Sequence, residues 1–61
     1  MKQNTQLSHR EQLAQLKRAL EITEKKLDFV TDPKLTAALA YEVLGIRARI
    51  GYIIDLAKMT I

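Results

Sequence analysis

The sequence has no cysteine and no tryptophan, one histidine, one proline, two glycines, two tyrosines and one phenylalanine in 61 residues. Without cysteine, neither a disulfide nor a cysteine-based zinc site can stabilise the fold, and a lone His9 cannot bind a metal by itself. The sequence also lacks a Gly-rich phosphate loop and a nucleophile–base set. We therefore expect no metal, no cofactor and no enzymatic activity.

Long hydrophobic runs are also missing. The charged residues Glu42, Arg47, Arg49 and Asp55 interrupt the most apolar stretch, so no segment approaches the roughly 18–20 apolar residues of a membrane span. Residues 1–7 are polar and have no hydrophobic signal region. We expect a cytoplasmic protein with no membrane contact.

The chain has only a small excess of positive charge. Ten Lys and Arg residues against seven Asp and Glu residues give a net charge of +3. One strip of the first predicted helix carries the basic residues Arg10, Lys17, Arg18 and Lys25. Glu21 and Asp28 lie in the same strip, whereas a nucleic-acid footprint is single-signed. An RNA- or DNA-binding helical-hairpin dimer is therefore the alternative function, behind a protein-binding one.

Hydrophobic residues make up 48% of the chain, which is high for its length. A domain of about 60 residues buries only roughly 60% of its unfolded surface, so such small domains usually need an additional source of stability. With disulfides and metals excluded, self-association or a partner protein remains.

A helix is predicted over residues 8–30, after a polar lead at 1–7. Ser8 and Glu11 have the spacing of a capping box, in which each side chain binds the other residue's backbone amide. The coiled-coil-like seam that follows consists of Leu13, Leu16, Leu20, Thr23, Leu27 and Val30. Glu21, Glu24 and Asp28 alternate with lysines on the outer side, where we expect them to be solvated.

The strongest local signal is the turn at residues 31–32, followed by a second helix over 33–59. Asp32 can cap that helix with its carboxylate, and Pro33 is favoured in a first helical turn. Because the connection is so short, the two helices must form an antiparallel hairpin.

The second helix is apolar on two sides. The stripe predicted to pack on the first helix contains Leu35, Leu39, Val43, Ile46, Ile50, Ile53 and Ala57. The opposite stripe, with the neighbouring Gly45, contains Ala37, Tyr41, Leu44, Ala48, Tyr52, Leu56 and Met59. A hairpin can cover only one of these stripes, so we expect a homodimer, most simply a four-helix bundle. A hairpin docked on a cytoplasmic protein partner, with a regulatory role, is the competing arrangement.

Two groups of residues in the second helix have several interpretations. Gly45 and Gly51 are unfavourable inside a helix, and they indicate close packing of another backbone, a local kink or a ligand site. The four charged residues Glu42, Arg47, Arg49 and Asp55 can be solvent-exposed rim groups, interchain ion pairs that fix the register of a dimer, or part of a partner site.

The sequence resembles the small YaaL-like proteins of Bacillus and related Firmicutes, a family of unknown function. The resemblance is carried by Leu27-Asp28-Phe29-Val30-Thr31-Asp32-Pro33, Ala40-Tyr41, Arg49, Tyr52 and Leu56-Ala57-Lys58. It implies a cytoplasmic bacterial helical hairpin, and it implies no activity because none is established for the family.

The chain departs from that family's pattern in the second helix. Ile50 replaces an expected aromatic residue, Leu44 a polar one and Arg47 an acidic one, while Gly45 and Gly51 replace larger residues. These changes make the second apolar stripe more apolar than is typical of the family, so the resemblance identifies no partner.

Overall fold

A computed structural model describes residues 8–59, which form two α-helices that pack against each other. Helix α1 spans His9–Phe29 and helix α2 spans Pro33–Met59. Residues 8–59 contain no strand. The predicted all-α fold of two packed helices is confirmed, and the predicted polar lead at 1–7 lies outside the described residues.

Helix α1 begins with the capping box that the sequence predicts. The Glu11 amide donates to the Ser8 hydroxyl oxygen at 3.1 Å, and the Ser8 amide donates to the Glu11 carboxylate at 2.9 Å. At the other end Val30 has an extended backbone, and its amide donates to the Lys26 carbonyl at 3.2 Å. Because Ser8 and Val30 cap the helix from outside, α1 is one residue shorter at each end than the predicted 8–30.

Three residues, 30–32, connect the helices, one more than the predicted turn at 31–32. The Lys34 amide donates to the Asp32 carboxylate at 3.4 Å, and the Thr36 amide donates to the Asp32 carbonyl at 2.9 Å. Asp32 therefore supports the first turn of α2, which starts at Pro33 as predicted.

The core is a single narrow layer between the helices. Its buried residues are Thr23 of α1 and Leu39, Val43 and Ile53 of α2. The Thr23 hydroxyl donates to the Ala19 carbonyl at 2.8 Å, so this polar group is satisfied although it is buried. No large side chain among residues 8–59 is fully buried, and the α1 leucines of the seam are only half-buried.

Leu35 departs from the predicted seam. It belongs to the stripe expected to pack on α1, but 48% of its surface is exposed. Leu35 lies in the first turn of α2, next to the interhelix connection, where α1 has already ended at Phe29. The packed part of the stripe therefore begins at Leu39, one turn later.

Candidate interaction surface

The main candidate site is the exposed apolar side of α2, which for the most part faces away from α1. We call it the outer face; it consists of Ala37, Tyr41, Leu44, Gly45, Ala48, Tyr52, Leu56 and Met59. Leu56 is half-buried and all the others are exposed. Tyr41 exposes 74% of its surface and Met59 78%. The structure thus leaves uncovered the stripe that the sequence predicts to be an interface.

The apolar area of this face is large for a hairpin of this size. Tyr41, Leu44, Tyr52 and Met59 are each more than half exposed, and together such side chains present several hundred Å². At about 25 cal/mol per Å², their burial is worth on the order of 10 kcal/mol before association costs. Contiguous patches of this size are uncommon on monomers and mark interaction sites.

Both glycines of α2 face open space. A Cβ added to Gly45 or to Gly51 would meet no atom within 4 Å. α1 therefore does not approach either residue closely, and α2 is an uninterrupted helix through both. If these glycines are explained by close packing against another backbone, that backbone must therefore belong to a second molecule.

Arg47 is held within the hairpin. Its Nη2 atom donates to Oε2 of Glu24 on α1 at 2.9 Å, with both side chains partly exposed. Glu24 therefore differs from the solvated outer residue that the sequence predicts. The sequence does not predict this pair, because its two residues are 23 positions apart. They come together only because the two helices pack side by side with Glu24 and Arg47 at the same height.

Glu42 and Arg49 line the groove between the helices, which Gly45 and Tyr52 at the edge of the outer face also border. A first part of the groove, of about 500 Å³, is bounded by Gln12, Gln15, Leu16, Ala19, Arg49, Tyr52 and Ile53. A second part, of about 370 Å³, is bounded by Leu16, Ala19, Thr23, Glu42, Gly45, Ile46 and Arg49. Gln12 and Gln15 have no place in the sequence predictions, and no motif marks them.

The carboxylate of Glu42 and the guanidinium of Arg49 are exposed. Neither has a hydrogen bond or an ion pair with another of residues 8–59. Arg49 is therefore available to an outside carboxylate, and Glu42 to an outside cation. Asp55 is exposed as well, and it lies near the carboxyl end of the outer face.

A smaller apolar patch lies on α1. Phe29 exposes 84% of its surface beside the turn, and Ile22 is also exposed. The basic strip of α1 is exposed too, but Glu21 and Asp28 are exposed within it. The strip therefore has mixed charge in the structure, as it has in the sequence.

Within residues 8–59, no group of three or more His, Asp or Glu side chains is placed to hold a metal ion. Neither α1 nor α2 is apolar enough over its length to cross a membrane. What the described residues offer chemically is an apolar face with a glutamate and an arginine along one edge. Such an arrangement binds another surface through apolar contact and charge pairing.

No protein-family model matches the chain, and neither the curated proteins nor the solved structures include one that is significantly similar to it. The resemblance to the YaaL-like proteins therefore stays a prediction from the residues quoted above.

Proposed function

We propose that this protein is a non-enzymatic, self-associating helical protein that acts through the outer face of α2. In the proposed homodimer the two α2 helices lie together at the centre of a four-helix bundle, and each α1 flanks its own α2. The observation that carries the proposal is the row of exposed apolar side chains on the side of α2 opposite α1.

The thin core supports the same conclusion. Of the described residues, only Leu39, Val43 and Ile53 are apolar and buried. Full burial of such a side chain contributes about 1.5–3 kcal/mol, whereas ordering one backbone residue costs about 1–2 kcal/mol. Two helices of 21 and 27 residues are poorly stabilised by so few buried groups. Pairing of two outer faces would add a second apolar layer.

A regulatory role would use the same face. A cytoplasmic protein that binds Tyr41 and Tyr52 would compete with the second copy, so self-association and partner binding would exclude each other. We propose the cytoplasm as its location and the second copy as its first partner.

Sedimentation equilibrium at micromolar concentration tests the proposal. We expect a dimer for the unmodified protein and at least a hundredfold weaker association for Leu44→Glu, since a carboxylate would be buried without a partner. Ala14→Glu is the matched control, because it adds the same charge at an exposed position of α1. A monomeric unmodified protein, or equal association of both variants, would contradict the proposal.

A further inference from the structure

We infer that the two copies pair with their α2 helices antiparallel, about a twofold axis at the level of residue 46. This arrangement brings Glu42 of one copy to Arg49 of the other, twice in each dimer. The inference rests on the proposed self-association and specifies its geometry, which the proposal itself leaves open.

The first argument comes from Glu42 and Arg49. Both line the same groove, so they lie along one edge of α2, and neither is paired within residues 8–59. They are seven residues, or about 10 Å, apart along the helix. A twofold axis perpendicular to α2 keeps residues on the same edge but exchanges the two ends. Each glutamate then meets the other copy's arginine when the axis lies midway between them, at the level of residues 45–46.

The apolar residues of the outer face independently place the twofold axis at the same level. Tyr41 and Tyr52 are equally distant from a point between residues 46 and 47, so each tyrosine would pack beside the other tyrosine of the second copy. Leu44 and Ala48 are equally distant from residue 46, so the large Leu44 of one copy would lie opposite the small Ala48 of the other. Helix α2 spans Pro33–Met59 and is itself centred on residue 46, so this register overlaps the two helices along their whole length.

Small residues occupy the point where the helices would cross. Gly45 and Ala48 lie next to the axis, and space beyond Gly45 is open in the single chain. A glycine inside a helix costs about 1 kcal/mol relative to alanine. The hairpin alone gives no reason for Gly45, whereas a backbone approaching closely from the second copy does.

A parallel pairing fails on the same residues. Its axis runs along the helices, so the edge with Glu42 and Arg49 would face the partner's opposite edge. That edge carries Arg47 and Lys58, on the far side of the outer face from Glu42 and Arg49. Arg49 of one copy would then lie within about 3 Å, measured along the helix axis, of Arg47 of the other, which is a like charge and is already paired with its own Glu24.

Disulfide trapping distinguishes antiparallel from parallel α2 helices. Because the chain has no cysteine of its own, only the introduced cysteines can form disulfides. Tyr41→Cys and Tyr52→Cys are prepared separately, one with a size tag, and are oxidised alone and mixed. Sedimentation under reducing conditions confirms that each variant still associates. We expect a mixed Tyr41→Cys/Tyr52→Cys disulfide to exceed either homodimeric disulfide by at least tenfold, since equivalent tyrosine positions lie roughly 15 Å apart along the axis.

The other outcomes are distinct. Homodimeric disulfides in the separate preparations indicate parallel helices and overturn the inference while self-association stands. A dimer without any disulfide places the interface elsewhere and overturns both the inference and the outer-face proposal. A monomer under reducing conditions for the unmodified chain removes the proposed function itself.

Charge exchange is the second measurement, and it leaves both tyrosines in place. Glu42→Arg and Arg49→Glu should each weaken association about tenfold, because every altered pair becomes a like-charge pair. The double variant should return to within about threefold of the unmodified protein, and 0.5 M salt should reduce all these differences. A double variant no better than the single ones overturns the inference.

Discussion

Arg47 of α2 and Glu24 of α1 form an ion pair across the hairpin, with 2.9 Å between Nη2 and Oε2. Arg49 lies only two positions further along, or about 160° around the helix, and has no partner among residues 8–59. Two arginines of one helix thus serve different surfaces. Arg47 links α2 to its own α1, whereas the guanidinium of Arg49 is unpaired within residues 8–59.

The Glu24–Arg47 pair should contribute little to stability. Both side chains are substantially exposed, at 43% and 60%, so solvent screens their attraction. In a double-mutant cycle of Glu24→Gln and Arg47→Gln, we expect a coupling free energy of about 0.2–1 kcal/mol by urea denaturation at one protein concentration. The coupling should fall in 1 M salt. A coupling above about 2 kcal/mol would show that the pair is more buried than the structure has it.

Leu39 and Leu35 provide a matched test of the core. Leu39 exposes 6% of its surface and Leu35 exposes 48%, although both belong to the same predicted stripe. Leu39→Ala should lower the free energy of unfolding by about 2–5 kcal/mol, because it leaves a cavity between the helices. Leu35→Ala should cost no more than about half as much. Equal costs in urea denaturation would contradict the register of the hairpin.

Gly45 and Gly51 should respond differently to alanine. Each gains up to about 1 kcal/mol of helix stability from the substitution, and the hairpin has room for both methyl groups. If Gly45 lies at a helix crossing, Gly45→Ala should weaken self-association, whereas Gly51→Ala should leave it unchanged. Sedimentation equilibrium measures association and circular dichroism measures helicity. Unchanged association for both variants would argue against a close approach at Gly45.

The alternative of nucleic-acid binding predicts a different result. The exposed basic strip of α1 is interrupted by Glu21 and Asp28, whereas nucleic-acid binding would require a surface of one charge sign. We therefore expect no mobility shift of RNA or duplex DNA at 0.15 M salt and micromolar protein. A shift that weakens with salt and disappears in Lys17→Glu/Arg18→Glu would favour the alternative over the protein-binding role.

The helix boundaries follow from residues close together in the sequence. Ser8 and Glu11 begin α1, and Asp32 and Pro33 begin α2, because caps depend on atoms within four residues of each other. The side of α2 that faces outward could also be predicted, since it depends only on the spacing of apolar residues along one helix. For these features the local sequence is sufficient.

Other features depend on how the two helices meet. Glu24 pairs with Arg47, Leu35 is left exposed, and Gln12 and Gln15 border the groove with Arg49. No local pattern specifies these relationships, because they depend on the relative rotation and level of two separate helices. The sequence by itself determined that this chain forms two helices with a surplus apolar face on the second. Only the tertiary structure decided which charges are paired within the hairpin and which are left unpaired among residues 8–59, because pairing between helices requires matched positions along two axes.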